Sequence, residues 1–129
     1  ENIDIIKKNY GKKIILIDRF IDSTVAYQHY GMGINIKLIK MINKYLLDDI
    51  KISFTFLNIV NQKNMLLRLS KRNNLNRYDR FNASFYKKVQ NGYLKIFKLA
   101  PRKYMKIDSN MDIFTNKKKI LNKIDNLIN

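Results

Sequence analysis

An α/β domain built on a mainly parallel sheet is the fold this sequence predicts, and three observations carry the prediction. Short apolar runs rich in β-branched residues recur along the chain. Stretches with apolar residues at helical spacing separate those runs. Their alternation is the pattern expected when helices make the crossovers between parallel strands. The 129 residues suit one domain, and a hydrophobic content of 46% is enough to supply a core.

Each element follows from its local pattern. Residues 1–10 place Ile3, Ile6 and Tyr10 at helical spacing, and Gly11 ends that helix. The run KIILI at residues 13–17 is short, continuous and β-branched, which predicts a strand buried on both faces. A second strand is expected within ISFTFLNI, residues 52–59, and a weaker third in KYMKI, residues 103–107, just after the single proline, Pro101. Helices are expected over about 22–30, over 34–47 with Leu38, Ile39, Ile42 and Leu46 on one face, and over 62–72 with Met65, Leu66 and Leu69. Phe85, Val89, Tyr93 and Ile96 mark a further helix, and Ile120, Leu121, Ile124, Leu127 and Ile128 mark the last. These stripes read as core packing and are given no chemistry.

One segment breaks the alternation. Residues 71–80, KRNNLNRYDR, are polar, basic and rich in asparagine between two patterned helices. They read either as a solvated loop or as a lid whose arginines close over phosphates.

Composition excludes several functions. There is no cysteine, so disulfides and thiolate metal sites are ruled out, and the lone His29 cannot build a zinc site by itself. No apolar run approaches the roughly 18 residues of a membrane span, and ENIDIIKKNY lacks the layout of a secretion signal, so no membrane partner is expected. The 26 Lys and Arg against 10 Asp and Glu give a formal charge of +16. Such an excess raises nucleic acid as a partner. The abundance of Ile, Asn and Lys together offers a duller cause, codon bias toward AT, and the charge is spread evenly along the chain. Nucleic-acid binding is therefore not the leading expectation, and a phosphate-bearing substrate explains a focused share of the charge as well.

Ligands of parallel α/β sheets sit beyond the carboxyl ends of the strands, and Asp18 and Arg19 stand directly after KIILI. A local ion pair or helix cap is the alternative for the two. The longer run DRFIDSTVAYQHYGMG, residues 18–33, resembles the DR(Y/F)-x-x-S-x-x-A-Y-Q signature of bacterial thymidylate kinases. The resemblance continues in order: ISFTFLNI is similar to the family's strand before the lid, RLSKRNNLNRYDRFNASFYKKVQNGYLKI to its basic lid and following helix, and KYMKIDSN to its final strand and turn.

The resemblance implies a partial P-loop nucleotide kinase fold, three layers around a mainly parallel sheet, over residues 1–129 with the lid at about 71–80. It implies transfer of phosphate from ATP to dTMP with Mg²⁺, in the cytoplasm, by an enzyme that is a homodimer when intact. Arg19 would hold the dTMP phosphate through its guanidinium fork, and Asp18 would lie near the transferring phosphate and organise Mg²⁺ indirectly. Ser23 and Thr24 would line the thymine edge, Tyr27 would pack near the sugar, and Gln28 would extend the polar rim of the base site. For ATP, the resemblance points to Arg68, Arg72, Asp108 and Ser109, with Arg72 and then Arg77 as the catalytic lid arginines and Arg80 a further lid candidate.

The chain also departs from the family. Met32 stands between Gly31 and Gly33 where a Gly-Arg-Gly run is common, and Asn58 ends the pre-lid strand where the family tends to carry Asp. No G-x-x-x-x-G-K-[ST] loop is present: Gly11, Lys12 and Lys13 share the look of its tail, but Ile6 replaces its first glycine and a strand is predicted to follow. The expectation is therefore a C-terminal portion, inactive by itself. A basic nucleic-acid-binding module and an inactive kinase remnant are the other readings.

Overall fold

The structure is a computed structural model that describes residues 2–72 and 82–129. Helix α1 spans Asn2–Asn9 and turns at Gly11, whose φ of 73° is a conformation glycine adopts without penalty. Helix α2 covers only Ile21–Thr24 and passes without a break into a π-helical segment, Val25–Gly31. Helix α3 runs Ile36–Leu47, β1 Thr55–Ile59, α4 Gln62–Ser70 and α5 Ala83–Leu99. A 3₁₀ turn at Pro101–Lys103 leads into β2, Tyr104–Asp108, and α6 closes the chain at Ile113–Ile128.

Helix starts follow local chemistry. Asn35, Asn61, Asn82 and Asp112 each offer a side-chain oxygen to a backbone N–H of the first turn, the capping that polar short side chains supply best. Asp112 is doubly engaged: one carboxylate oxygen accepts from the Thr115 N–H at 2.8 Å and the other from its hydroxyl at 2.6 Å. These contacts hold the exposed Asp112 carboxyl below its usual range.

Strands β1 and β2 pair in parallel, from Thr55 opposite Tyr104 to Ile59 opposite Asp108. That pair is the sheet among the described residues. Leu57 and Ile107 are the buried side chains of the two strands. The Val60 N–H donates to the side-chain oxygen of Gln90 at 3.2 Å, tying the end of β1 to α5.

The core lies where α5 crosses the π-helical segment. Ala26, Phe85, Tyr86, Val89 and Ile96 form its buried cluster, with Tyr30, Met65, Leu69 and Tyr93 packed around it. Two glycines allow the approach. A Cβ on Gly92 would sit 2.6 Å from the Tyr30 ring, and one on Gly31 would sit 2.7 Å from the Phe85 ring.

Three expectations need correction. Residues 13–17 are not a strand of the sheet: they have no ladder partner among the described residues, and Ile14 and Leu16 are 67% and 79% exposed. A β-branched run becomes a buried strand only where a neighbouring strand takes its N–H and C=O groups. The stripes of α3 and α6 are also uncovered. Only Ile39 of α3 and no residue of α6 is fully buried, and Leu38, Ile42, Leu46, Leu121, Leu127 and Ile128 of the two stripes stay exposed. The expected helix over 22–30 starts one residue earlier and changes pitch at Val25. No helix among the described residues is long and apolar enough to cross a membrane.

Candidate functional site

Residues 14–17 form neither helix nor strand, and the chain then bends at Asp18 and Arg19, where the Arg19 φ is +61°. A non-glycine residue in the left-handed region carries a cost of about 1–3 kcal/mol and survives only where its surroundings hold it. Here the Arg19 guanidinium lies 4.7 Å from the centre of the Tyr27 ring. Stacking of this kind at an exposed position is worth about 0.5–1 kcal/mol and fixes the plane of the charged fork.

The pitch of the following helix sets which side chains share that face. The Met32 N–H reaches the Tyr27 carbonyl at 3.0 Å, and the Ile34 N–H reaches the Gln28 carbonyl at 2.9 Å, so the backbone of the motif is spent in wide turns. His29 donates from Nδ1 to the Ile34 carbonyl at 2.8 Å, a bond that fixes its tautomer and closes the segment.

Along β1 from Phe54 to Asn58 runs a cleft of about 760 Å³. Residues 15–20 share its lining with Asp22, Ser23, Tyr27 and Tyr93. The structure therefore brings Asp18, Arg19, Ser23 and Tyr27 together in one hollow large enough for a nucleotide-sized ligand. Thr24 is exposed and Gln28 half-buried, and neither is part of that lining. A second hollow of about 630 Å³ lies against α1 and α3, with Lys7, Met41 and Tyr45 on its wall, and contains none of the motif residues.

Two tyrosine hydroxyls reach the motif from distant parts of the chain. Tyr93 Oη and Ser23 Oγ share a hydrogen bond of 2.8 Å. Tyr104 donates its hydroxyl to Asp22 Oδ1 at 3.2 Å. Burial raises the Asp22 carboxyl above its ordinary value, with the Tyr104 bond opposing the rise. Burial, followed by the neighbouring Asp22 charge and the bond to it, pushes the Tyr104 phenol up to about 12. The Tyr93 phenol is raised as well, first by burial, with the bond from Ser23 acting against it.

The residues expected at the ATP side gather at the ends of the strands. The Ser109 N–H donates to the Ile59 carbonyl at 2.8 Å, extending the ladder by one step. Arg68 of α4 donates from Nη2 to the Ser109 carbonyl. The Asp108 carboxylate accepts from the Asn110 backbone at 2.9 Å and from its side chain at 2.7 Å. Asn110 in turn accepts from the Asn61 N–H at 3.2 Å and the Asn64 side chain at 3.0 Å. This web seats the turn after β2 on the start of α4. Arg72 stands exposed two residues beyond α4, whereas Arg77 and Arg80 lie outside the described residues, as does most of the expected lid.

Sequence reasoning missed Asp22, Tyr93 and Tyr104. Tyr93 was absorbed into an apolar helix stripe, although a buried tyrosine hydroxyl demands a partner and so signals more than packing. Asp22 lay inside the motif with nothing local to distinguish it.

The thymidylate kinase family model matches residues 2–120. The thymidylate kinase of Trichodesmium erythraeum is 40% identical over 85 residues, which are 66% of this chain and 38% of that protein. That of Sulfurihydrogenibium sp. is 38% identical over 100 residues, 78% of this chain and 48% of the relative. That of Staphylococcus epidermidis is 35% identical over 107 residues, 82% and 53% respectively. The chain thus spans about half the length of the curated relatives it matches. Its helices and parallel strand pair agree with the α/β P-loop kinase fold expected from the motif at residues 18–33, and with nearly the whole sequence matched, this chain belongs to the thymidylate kinase family.

Proposed function

We propose that this chain provides the dTMP-binding side of a kinase that transfers the γ-phosphate of ATP to dTMP, giving dTDP. The observation that carries the reading is the Arg19 guanidinium stacked on Tyr27 at the wall of a cleft that also holds Asp18 and Ser23. A planar fork of donors suits a phosphate, and an aromatic ring beside it suits a sugar or base. In this reading Arg19 binds the 5′-phosphate, Tyr27 packs beside the sugar, and Ser23 orients the base edge. Thr24 and Gln28 complete the rim of the base site when the nucleotide is bound.

Mg²⁺ would neutralise the phosphates of ATP. Asp18 is the residue that would hold it, through its waters, and a single carboxylate shared with phosphate oxygens is the donor set this ion prefers. Among the described residues no three His, Cys, Asp or Glu side chains cluster as an all-protein metal cage. Arg68, Asp108 and Ser109 would frame the ATP base, and Arg72 and Arg77 would stabilise charge on the transferring phosphoryl group. Residues 1–129 act as one domain with its lid at about 71–80. The sequence holds no phosphate loop, so the chain alone is expected to bind dTMP without turning it over. A cytoplasmic homodimer is the expected setting, and the uncovered stripe of Leu38, Ile42 and Leu46 on α3 is suited to pairing with a second copy.

Calorimetric titration of the chain with dTMP tests the reading. Binding that is lost in Arg19→Ala and much weaker for thymidine is the expected result. Equal affinity for dTMP and thymidine, or an Arg19→Ala variant that binds as well as the parent, would overturn it.

A further inference from the structure

Charge in the cleft is of both signs. Arg19 and Asp22 are three residues apart, both line the same hollow, and both act on the Tyr93 hydroxyl, the arginine lowering and the aspartate raising its pKa. The cleft wall thus carries one guanidinium, Arg19, with the carboxylates of Asp18 beside it in sequence and Asp22 three residues on. A nucleoside monophosphate offers a partner to each sign: an anionic phosphate, and hydrogen-bond donors on its sugar and base.

The hydrogen bonds show which group remains available to such a donor. Ser23 and Tyr93 share one bond at 2.8 Å, which uses part of each hydroxyl's capacity and leaves Ser23 able to meet the base edge. Asp22 receives one bond, from Tyr104 to Oδ1, and no other partner of its carboxylate is found among the described residues. An ionised carboxylate has about four acceptor positions. A half-buried carboxylate with most of that capacity unused, on the wall of a ligand-sized hollow, is poised to accept. Tyr104 comes from the first position of β2, 82 residues away in the sequence, and its ring packs on the core cluster. Its hydroxyl is therefore delivered by a rigid element, as a group that orients another must be.

We infer that Asp22 is a further substrate-contacting residue, accepting a hydrogen bond from a hydroxyl or ring N–H of the nucleotide, and that Tyr104 is the positioning residue that aims it. The inference rests on the reading of the cleft as a dTMP site and deepens it. Asp22 also sets direction: its charge repels the phosphate that Arg19 attracts, so a nucleotide entering the wrong way round meets a carboxylate with its own anion.

The test measures affinity by calorimetry for dTMP, for its 3′-deoxy analogue and for its N3-methyl analogue. The proteins are the parent chain, Arg19→Ala, Asp22→Ala, Asp22→Asn, Tyr104→Phe and the double variant Asp22→Ala with Tyr104→Phe, each checked for parental circular dichroism. Asp22→Ala is expected to weaken dTMP binding about tenfold, the loss for a bond to a charged acceptor. Asp22→Asn keeps the shape but turns a donor toward the ligand and is expected to do the same. One of the two analogues should be insensitive to Asp22→Ala, and that one names the donor. Tyr104→Phe should weaken dTMP about threefold in the parent and not at all in the Asp22→Ala background, a non-additivity that simple loss of packing would not produce.

If Asp22→Ala binds dTMP as the parent does while Arg19→Ala does not bind, the inference falls and the dTMP reading stands. Equal penalties on dTMP and both analogues would likewise remove Asp22 from the contact. If the parent chain binds no dTMP, both fall together.

Discussion

One side of this molecule is closed and the other is open. Where α5 meets the π-helical segment, two glycines let the Tyr30 and Phe85 rings come within distances that no Cβ would tolerate, and Val89 and Ala26 are almost wholly shielded from solvent. On the other side, residues 14–17 form no strand, Ile14, Leu16 and Ile17 stay exposed, and the 760 Å³ cleft with the candidate ligand groups is lined jointly by residues 15–20 and β1. Both regions are rich in apolar residues. The difference is that in the first the backbone is fully hydrogen-bonded in helices, and in the second it lacks a neighbour. Hydrophobic sequence creates a core only when the polar backbone beneath it is also satisfied. The contrast bears on the proposed site: the candidate ligand groups line the unfilled side, while the filled side packs against the motif helix.

Mutations can break that comparison. Phe85→Ala removes the ring at the centre of the closed face, and a loss of about 3–5 kcal/mol in urea unfolding is expected. Gly92→Ala drives a methyl into Tyr30 and should cost about 1–3 kcal/mol, since a packed ring must move. Asn82→Ala removes the oxygen that accepts from the Phe85 N–H at 2.9 Å, and about 1 kcal/mol is expected. On the open side, Leu16→Ser should change stability by no more than about 0.5 kcal/mol. A Leu16 variant as damaging as Phe85→Ala would mean that the open edge is covered in solution and the comparison is wrong.

The smallest effect is one of pH. Burial favours the protonated form of Asp22, so the folded chain holds that proton more firmly than the unfolded chain does. Its contribution to stability is complete below the ordinary value of 3.8 and is lost as pH rises through the raised one. Asp22→Asn should flatten the stability profile in that window. At the alkaline end, Tyr104 should ionise near 12, and Tyr104→Phe should remove that late step from the tyrosinate absorbance titration.

Much of this was legible in the sequence because it depends on local rules. The strands at 55–59 and 104–108 and the buried face of α5 follow from period, composition and turn residues, and the motif at residues 18–33 is legible through its resemblance to a family signature. What was not legible depends on distant partners. KIILI has a strand's composition, yet pairing is a property of two segments. The stripes on α3 and α6 have a core helix's spacing, but spacing says nothing of what covers them. The bonds from Tyr93 to Ser23 and from Tyr104 to Asp22 join residues 70 and 82 positions apart, beyond the reach of any window. The change of pitch at Val25 coincides with two distant contacts, Gly31 against Phe85 and Tyr30 against Gly92, which no local window contains.

That change of pitch also determines how the chain tolerates altered length. A π turn is in effect an α turn holding one surplus residue, so the stretch Val25–Gly31 can give one up and still close as a helix. Everything after the excision would then swing around the axis, carrying Tyr30 off its glycine seat and Tyr27 out from under the guanidinium. Single-residue deletions here should yield a helical protein by circular dichroism with a vacated aromatic seat and no grip on phosphate, whereas a deletion in the exposed stretch 10–13 should leave both intact.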